Sequence, residues 1–207
     1  MKAKNATQKI VIAALLAALT CVATMIIKIP SPLKGYLNLG DCIVLLAGWM
    51  LSPVYGFLAA GLGSALADLF SGYVVYAPAT FVIKGLMALV AYYGFKLLHK
   101  KLGNLTSRII TGIVAEAAMI LGYFVFEGFL YGFGPSVVNI PANGVQGIAG
   151  LILGCILVKV FEKSKLIQFY SNYYTLTDLV VRGVDLYFGS YAYRLPHSRY
   201  LFDESIV

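Results

Sequence analysis

Asp41, Asp68, Lys84, Glu116 and Glu127 stand inside or at the ends of segments that are otherwise apolar. An ionisable side chain in such surroundings costs several kcal/mol unless it faces a partner or a wet cavity, so each is a candidate functional group. Three amides, Asn139, Asn143 and Gln146, follow at spacings of four and three and share one helix face. Glu116 and Glu127 are eleven residues apart, which also places them near one face. The chemistry that such groups support is recognition by hydrogen bonds and charge. No clustered nucleophile, base or metal set accompanies them. His99 and His197 lie outside the apolar segments without a neighbour at ligand spacing, so neither a metal nor a cofactor is expected. The chain also lacks a Gly-x-x-x-x-Gly-Lys-Ser/Thr phosphate loop, and Gly61-Leu62-Gly63 lacks the third glycine of a dinucleotide fingerprint.

The elements that position these residues must be membrane helices. The chain is 60% hydrophobic and 12% charged with a mean hydropathy of +0.83, whereas a soluble domain carries about a quarter charged residues. The expected fold is an all-α integral membrane protein, a bundle of six transmembrane helices with both termini cytoplasmic. Spans are expected at about Ile10 to Ile27, Gly40 to Leu51, Tyr55 to Phe70, Ala79 to Leu98, Ile109 to Tyr131 and Pro141 to Phe161. Lys2, Lys4 and Lys9 precede the first span, and Lys96, Lys100, Lys101 and Arg108 join the fourth to the fifth. Lys159, Lys163 and Lys165 close the sixth, so the basic ends are assigned to the cytoplasm. The formal charge of +7 follows from these flanks, and no nucleic-acid partner is implied. The first apolar run is read as a span and not as a secretory signal, because it continues to Ile27 without a small-residue cleavage site. Cys21, Cys42 and Cys155 read as small packing residues.

Between the first two spans, Ile29 to Asp41 carries two prolines and two glycines and cannot be a helix. It is expected to form the floor or lid of an outward-facing site, with Lys34, Asn38 and Asp41 as its polar groups. Counted from that outer end, Asp41, Asp68, Lys84 and Glu127 share a depth with Asn38, Tyr73, Tyr76, Asn139, Asn143 and Gln146, while Glu116 falls in the inner half. A shared depth on several spans and loops is what a ligand pocket would produce. Asp41 is equally readable as a helix cap, and Lys84 as the partner of Asp68 or Glu127 in a structural ion pair. Ala13, Ala14, Ala17 and Ala18 lay a smooth stripe on the first span, suited to packing within the bundle or to docking another protein. Domain one is 1–165. Residues 166–207 form an aromatic and polar segment that cannot span, because Asp178, Arg182 and Asp185 interrupt its apolar stretch. It is read as a cytoplasmic tail: an appendage, a partner-binding segment, or an altered reading of the original C-terminus.

Asn38-Leu39-Gly40-Asp41, Gly63-Ser64-Ala65-Leu66-Ala67-Asp68-Leu69 with Ser71-Gly72-Tyr73, Pro78-Ala79-Thr80-Phe81, Lys84-Gly85, Glu116, Glu127 and Asn143-Gly144-Val145-Gln146 form a series. In that order they resemble the substrate-binding S components of energy-coupling-factor (ECF) vitamin transporters, over about Lys9 to Glu162. The closest resemblance is to the branch associated with pantothenate, pyridoxine or hydroxymethylpyrimidine. It implies a plasma-membrane protein that captures a water-soluble vitamin from outside and then tilts in the lipid. The energy would come from a transmembrane scaffold protein and two ATPase subunits, which explains the missing phosphate loop. The alanine stripe would meet the scaffold protein.

The expected function is therefore a non-enzymatic, high-affinity binding subunit of an ABC-type importer. Asn38, Asp41, Tyr76, Lys84, Glu127, Asn139, Asn143 and Gln146 are the expected substrate-binding residues. Lys34 and Lys84 would suit a carboxylate such as that of pantothenate, and the amides and tyrosines a pyridine or pyrimidine ring. The competing readings are a small ion-coupled secondary transporter using Asp68, Lys84 and Glu127, and a membrane scaffold without a ligand.

Overall fold

The computed structural model describes residues 2–31 and 35–163. Lys34 and the tail 166–207 lie outside the described residues. The chain divides into two compact units, Met1–Lys159 and Val160–Val207. Of the second, only the last turn of a helix, 160–163, is described.

Helix α1 runs Lys2–Ile26. A two-stranded hairpin follows, with β1 (Ile29–Pro30) antiparallel to β2 (Tyr36–Leu37) and Ile29 opposite Leu37. The prolines and glycines that exclude a helix here permit this tight ladder, an element that periodicity did not signal. Next come α2 (Asp41–Met50), α3 (Pro53–Phe70), α4 (Ala77–Leu102) and α5 (Asn104–Tyr131). The uncharged stretch after α5, expected as a plain loop, contains a single turn α6 (Phe133–Ser136) and a 3-10 turn (Val137–Asn139) before α7 (Ile140–Lys163).

Boundaries follow local chemistry. Pro53 and Pro78 sit in the first turns of α3 and α4, where the missing N–H is not needed. Gly103 (φ 75°) and Gly132 (φ 90°) end α4 and α5 in the left-handed region that L side chains avoid.

Five helices are long and apolar enough to cross a membrane. They present Val11, Leu15, Leu62, Phe129 and Ile148 outward, where lipid can take them. Helix α2 differs. Its ten residues reach about 15 Å, half the hydrocarbon thickness, and Asp41 to Trp49 are all buried. It is apolar on every side because protein surrounds it, with α1, α3, α4 and α5 as neighbours.

Close approaches rest on small residues. A side chain on Gly63 would begin 2.4 Å from the Ala17 carbonyl oxygen and 2.7 Å from Thr20 Cβ, so α1 and α3 touch there. The alanine stripe is thus divided. Ala13 is buried and Ala17 abuts Gly63, whereas Ala14 and Ala18 remain exposed.

Gly63→Ala is expected to destabilise the protein by about 1–3 kcal/mol, because backbone must move to admit the methyl group. Gly144→Ala, where a Cβ meets nothing within 4 Å, should be neutral or stabilising by up to about 1 kcal/mol. Thermal unfolding in detergent compares the two.

Candidate functional site

The hairpin closes over a cavity at its end of the bundle. Ser31, Gly35, Tyr36 and Asn38 line it from above, with Tyr73 and Tyr76 from the α3–α4 connection. Asp68 and Thr80 contribute from α3 and α4, Tyr123 and Glu127 from α5, and Asn143 and Gln146 from α7. Its volume of about 30 Å³ holds little more than a water molecule.

Each wall is tied to its neighbour. The Tyr36 hydroxyl donates to Asp68 Oδ1 at 2.7 Å. Asn139 Nδ2 donates to Glu127 Oε1 at 2.8 Å, and the Tyr76 hydroxyl approaches the same oxygen at 3.4 Å. The Tyr123 hydroxyl donates to Thr80 Oγ1 at 3.1 Å. Rings of Tyr36, Tyr73 and Tyr76 follow one another with centroids 4.7 and 6.3 Å apart, giving the cavity an aromatic side.

Beneath the lining lies a charged network. Lys84 Nζ is paired with Asp41 Oδ1, and both residues are buried. Asp41 Oδ2 accepts from Gln146 Nε2 at 2.7 Å. Gln146 Oε1 then accepts from the Asn38 backbone N–H at 3.0 Å and from Asn38 Nδ2 at 3.3 Å. Asn38 Oδ1 receives the Gly40 N–H at 2.9 Å, closing the chain on the hairpin's own stem. Gly40 is tight against α1, since a Cβ there would lie 2.1 Å from Thr24 Oγ1. The Lys84 ammonium also stands 5.5 Å from the centre of the Tyr123 ring.

This arrangement changes several assignments made from sequence. Asn38, Tyr76, Glu127, Asn143 and Gln146 line the cavity, whereas Asp41, Lys84 and Asn139 are absent from its wall and instead hold the residues that form it. Lys84 pairs with Asp41 and not with Asp68 or Glu127, because α2 packs against α4 and delivers Asp41 beside it. Asp41 makes no capping hydrogen bond; Gly40 takes the cap position and the carboxylate turns to Lys84 and Gln146. Glu116 does not stand apart in depth. A Cβ on Gly150 would lie 2.6 Å from Asp41 Cβ and 3.0 Å from Glu116 Oε1, so the two acidic side chains meet over that glycine. Both carboxylate oxygens of Glu116 are buried without a hydrogen-bond partner among the described residues.

The lining also includes residues not assigned to the site from sequence. Tyr123 lies one turn before Glu127 and Thr80 one turn before Lys84, so an i, i+4 search from each intramembrane charge would have found them. Tyr36 and Ser31 come from the hairpin, where no helical period points.

A membrane helix bundle with a polar, aromatic cavity under a hairpin at one end is the architecture of a membrane substrate-binding protein. Comparison with known proteins specifies which. The family model for the S component of ECF-type riboflavin transporters matches residues 4–163. A solved S component of a bacterial ECF transporter aligns with a TM-score of 0.61 and 28% sequence identity, covering 79% of this chain and 98% of that one. An uncharacterised Pyrococcus woesei protein, encoded in a gap 3' region, is 36% identical over 143 residues, 69% of this chain and 93% of its own length. The thiamine precursor transporter HmpT of Lactococcus lactis subsp. cremoris is 25% identical over 163 residues, 78% of this chain and 92% of its own length. The chain belongs to the ECF S component family. It is an integral membrane, substrate-binding subunit of a vitamin transporter, from a family of transporter subunits and not of enzymes.

Lys84→Met should cost about 3–5 kcal/mol, because it strands the buried Asp41 carboxylate. Adding Asp41→Asn, which removes the stranded charge and keeps an acceptor for Gln146, should recover more than half of that loss. Unfolding midpoints of the single and double variants test the coupling.

Proposed function

We propose that this chain is the high-affinity S subunit of an ECF-type ABC importer, which captures a water-soluble vitamin or precursor and relies on ATPases carried by other subunits. The observation that carries the reading is the cavity under one hairpin, with carboxylates and amides from the helices and tyrosines around its rim. Asn38, Tyr76, Glu127, Asn143 and Gln146 would touch the substrate. Asp41, Lys84 and Asn139 would hold them in place.

In this reading the hairpin end faces outward, and the basic ends and both termini face the cytoplasm. The hairpin stem and α2 together make up the sixth crossing. Gly150, which abuts Asp41, lies ten residues into α7, so α2 begins about 15 Å below that helix's first residue. Irregular backbone at such depth is tolerated where it is enclosed by protein or lines a cavity. The hairpin acts as the gate, and the exposed Ala14 and Ala18 would meet the scaffold protein.

The purified protein in nanodiscs should bind a vitamin, and at a hundred times its Kd the ligand should add about 2.7 kcal/mol to stability. In proteoliposomes it should accumulate none until the scaffold protein, both ATPases and ATP are supplied. Ala14→Leu with Ala18→Leu should abolish that uptake and leave binding intact. Accumulation by the chain alone would refute the reading in favour of an ion-coupled carrier. Unchanged binding in Asn143→Ala and Gln146→Ala would refute the proposed contacts.

A further inference from the structure

The network beneath the cavity carries charges that its contacts do not balance. The charges of Asp41 and Lys84 both act on Glu116, but Lys84 is committed to Asp41. Glu116 is 5% exposed, and neither of its carboxylate oxygens has a hydrogen-bond partner among the described residues. With both acids ionised, the cluster would hold two negative charges against one positive.

The surroundings of Glu116 do nothing to relieve that excess. It stands near the middle of α5, where a charge in a membrane helix is most costly. Its side chain lies flat on α7: the points where side chains on Gly147 and Gly150 would begin are each 3.0 Å from one of its oxygens. The two glycines make room for the carboxyl and offer it no polar side chain. Its other flank borders an apolar groove of about 280 Å³ between α5 and α7, walled by Ile113, Ile120, Ile148 and Leu151. Of the elements packed on α5, α4 contributes Lys84 and α2 contributes Asp41 and the Cys42 thiol. The turn α6 and the Gly144–Leu151 stretch of α7 hold no titratable residue. On α5 itself Arg108 lies two turns below, stacked 5.0 Å from the centre of the Phe95 ring, and Glu127 lies three turns above. An unpaired carboxylate in this place is strongly disfavoured, whereas the neutral acid forgoes only hydrogen bonds.

We propose that Asp41, Lys84 and Glu116 form a proton-binding site, in which Lys84 serves one carboxylate and a proton held on Glu116 neutralises the other. The three side chains then carry a net charge of one negative and one positive. Loss of the proton would set a second carboxylate against Lys84. Asp41 would be held less firmly, and with it Gln146 Nε2 and the Asn38 N–H that Gln146 receives. The proton is thereby part of what fixes the hairpin stem. Glu116 is also a reserve partner: where Asp41 is made neutral, Lys84 turns to Glu116, which releases its proton to solvent.

The test is infrared spectroscopy and thermal unfolding of the full-length protein in nanodiscs at neutral pH, without any ligand. The wild type should show the carbonyl stretch of a protonated carboxyl that disappears in Glu116→Gln. The same band should disappear in Asp41→Asn, because Glu116 is then ionised against Lys84. Glu116→Gln mimics the neutral acid and should unfold near the wild-type midpoint. Asp41→Asn should fold, since Glu116 replaces the lost charge. The double variant leaves Lys84 without a carboxylate, and its midpoint should fall about 6 °C or more beyond the sum of the two single shifts. A wild-type spectrum without the Glu116 band overturns the proposal, as does a midpoint that rises with sodium at fixed pH, which would put a metal cation in the proton's place. A band that persists in Asp41→Asn shows that burial alone holds the proton and overturns the shared site. Additive midpoints, or an Asp41→Asn variant that does not fold, overturn the reserve role of Glu116.

Discussion

The buried pair between Lys84 on α4 and Asp41 at the start of α2 is the interaction on which the rest of this architecture depends. Two opposite charges in a protein interior must recover a desolvation cost of several kcal/mol per ion, which requires good geometry and satisfaction of the remaining lone pairs. Here Gln146 fills the second oxygen of Asp41 and then hands its own carbonyl to Asn38. One electrostatic contact thereby fixes α4, α2, α7 and the hairpin stem. The negative group also stands at the positive end of the α2 dipole, which favours it further.

That pair explains the shape of α2. A helix beginning halfway down the bundle exposes its first N–H groups where no water reaches them. In this protein the Gly40 N–H finds Asn38 Oδ1 and the Ile43 N–H reaches back to the Gly40 carbonyl, which provides for two of them. From that start, ten residues are enough to cover the remaining distance. The hairpin then occupies the vacated half, and the cavity lies between it and the charged network. Lys84 is paired below the lining, and among the described residues Asp68 and Glu127 are the carboxylates on the wall.

Much of this was legible in the sequence, because the cost of a charge in lipid does not depend on fold. Asp41, Lys84, Glu127 and the amides of α7 stand out by type alone, and the small-residue contacts of α1 and α3 by spacing. The pairings were not legible. Depth was counted as though each helix began at one membrane surface, but α2 starts deep, which assigned Asp41 to the mouth and separated it from Glu116. The two carboxylates meet at Gly150 because of that offset. A hydrophobic pattern also cannot tell a lipid-facing helix from one sheathed in protein, so α2 looked like an ordinary span. The hairpin residues Ser31 and Tyr36 enter the site through a turn, and turns leave no period to read.

The two layers differ in how firmly they are held, and this decides where the structure can yield. The lower layer is an ion pair with both partners buried, and loosening it exposes a charge. The upper layer is held to the helices by side-chain hydrogen bonds of the hairpin: Tyr36 to Asp68, Asn38 to Gln146, and Lys28 to Ser71 on the exposed side. Such a bond contributes about 0.5–1.5 kcal/mol net, or up to about 3 kcal/mol where one partner is charged, and water can replace it once the hairpin lifts. A cavity of about 30 Å³ is an order of magnitude below the roughly 300–1,000 Å³ of ligand clefts, so admitting a vitamin requires lining atoms to move. The hairpin can move without stranding a charge and the floor cannot. In the proposed reading opening is therefore directed upward, with the helix-borne carboxylates and amides keeping their places.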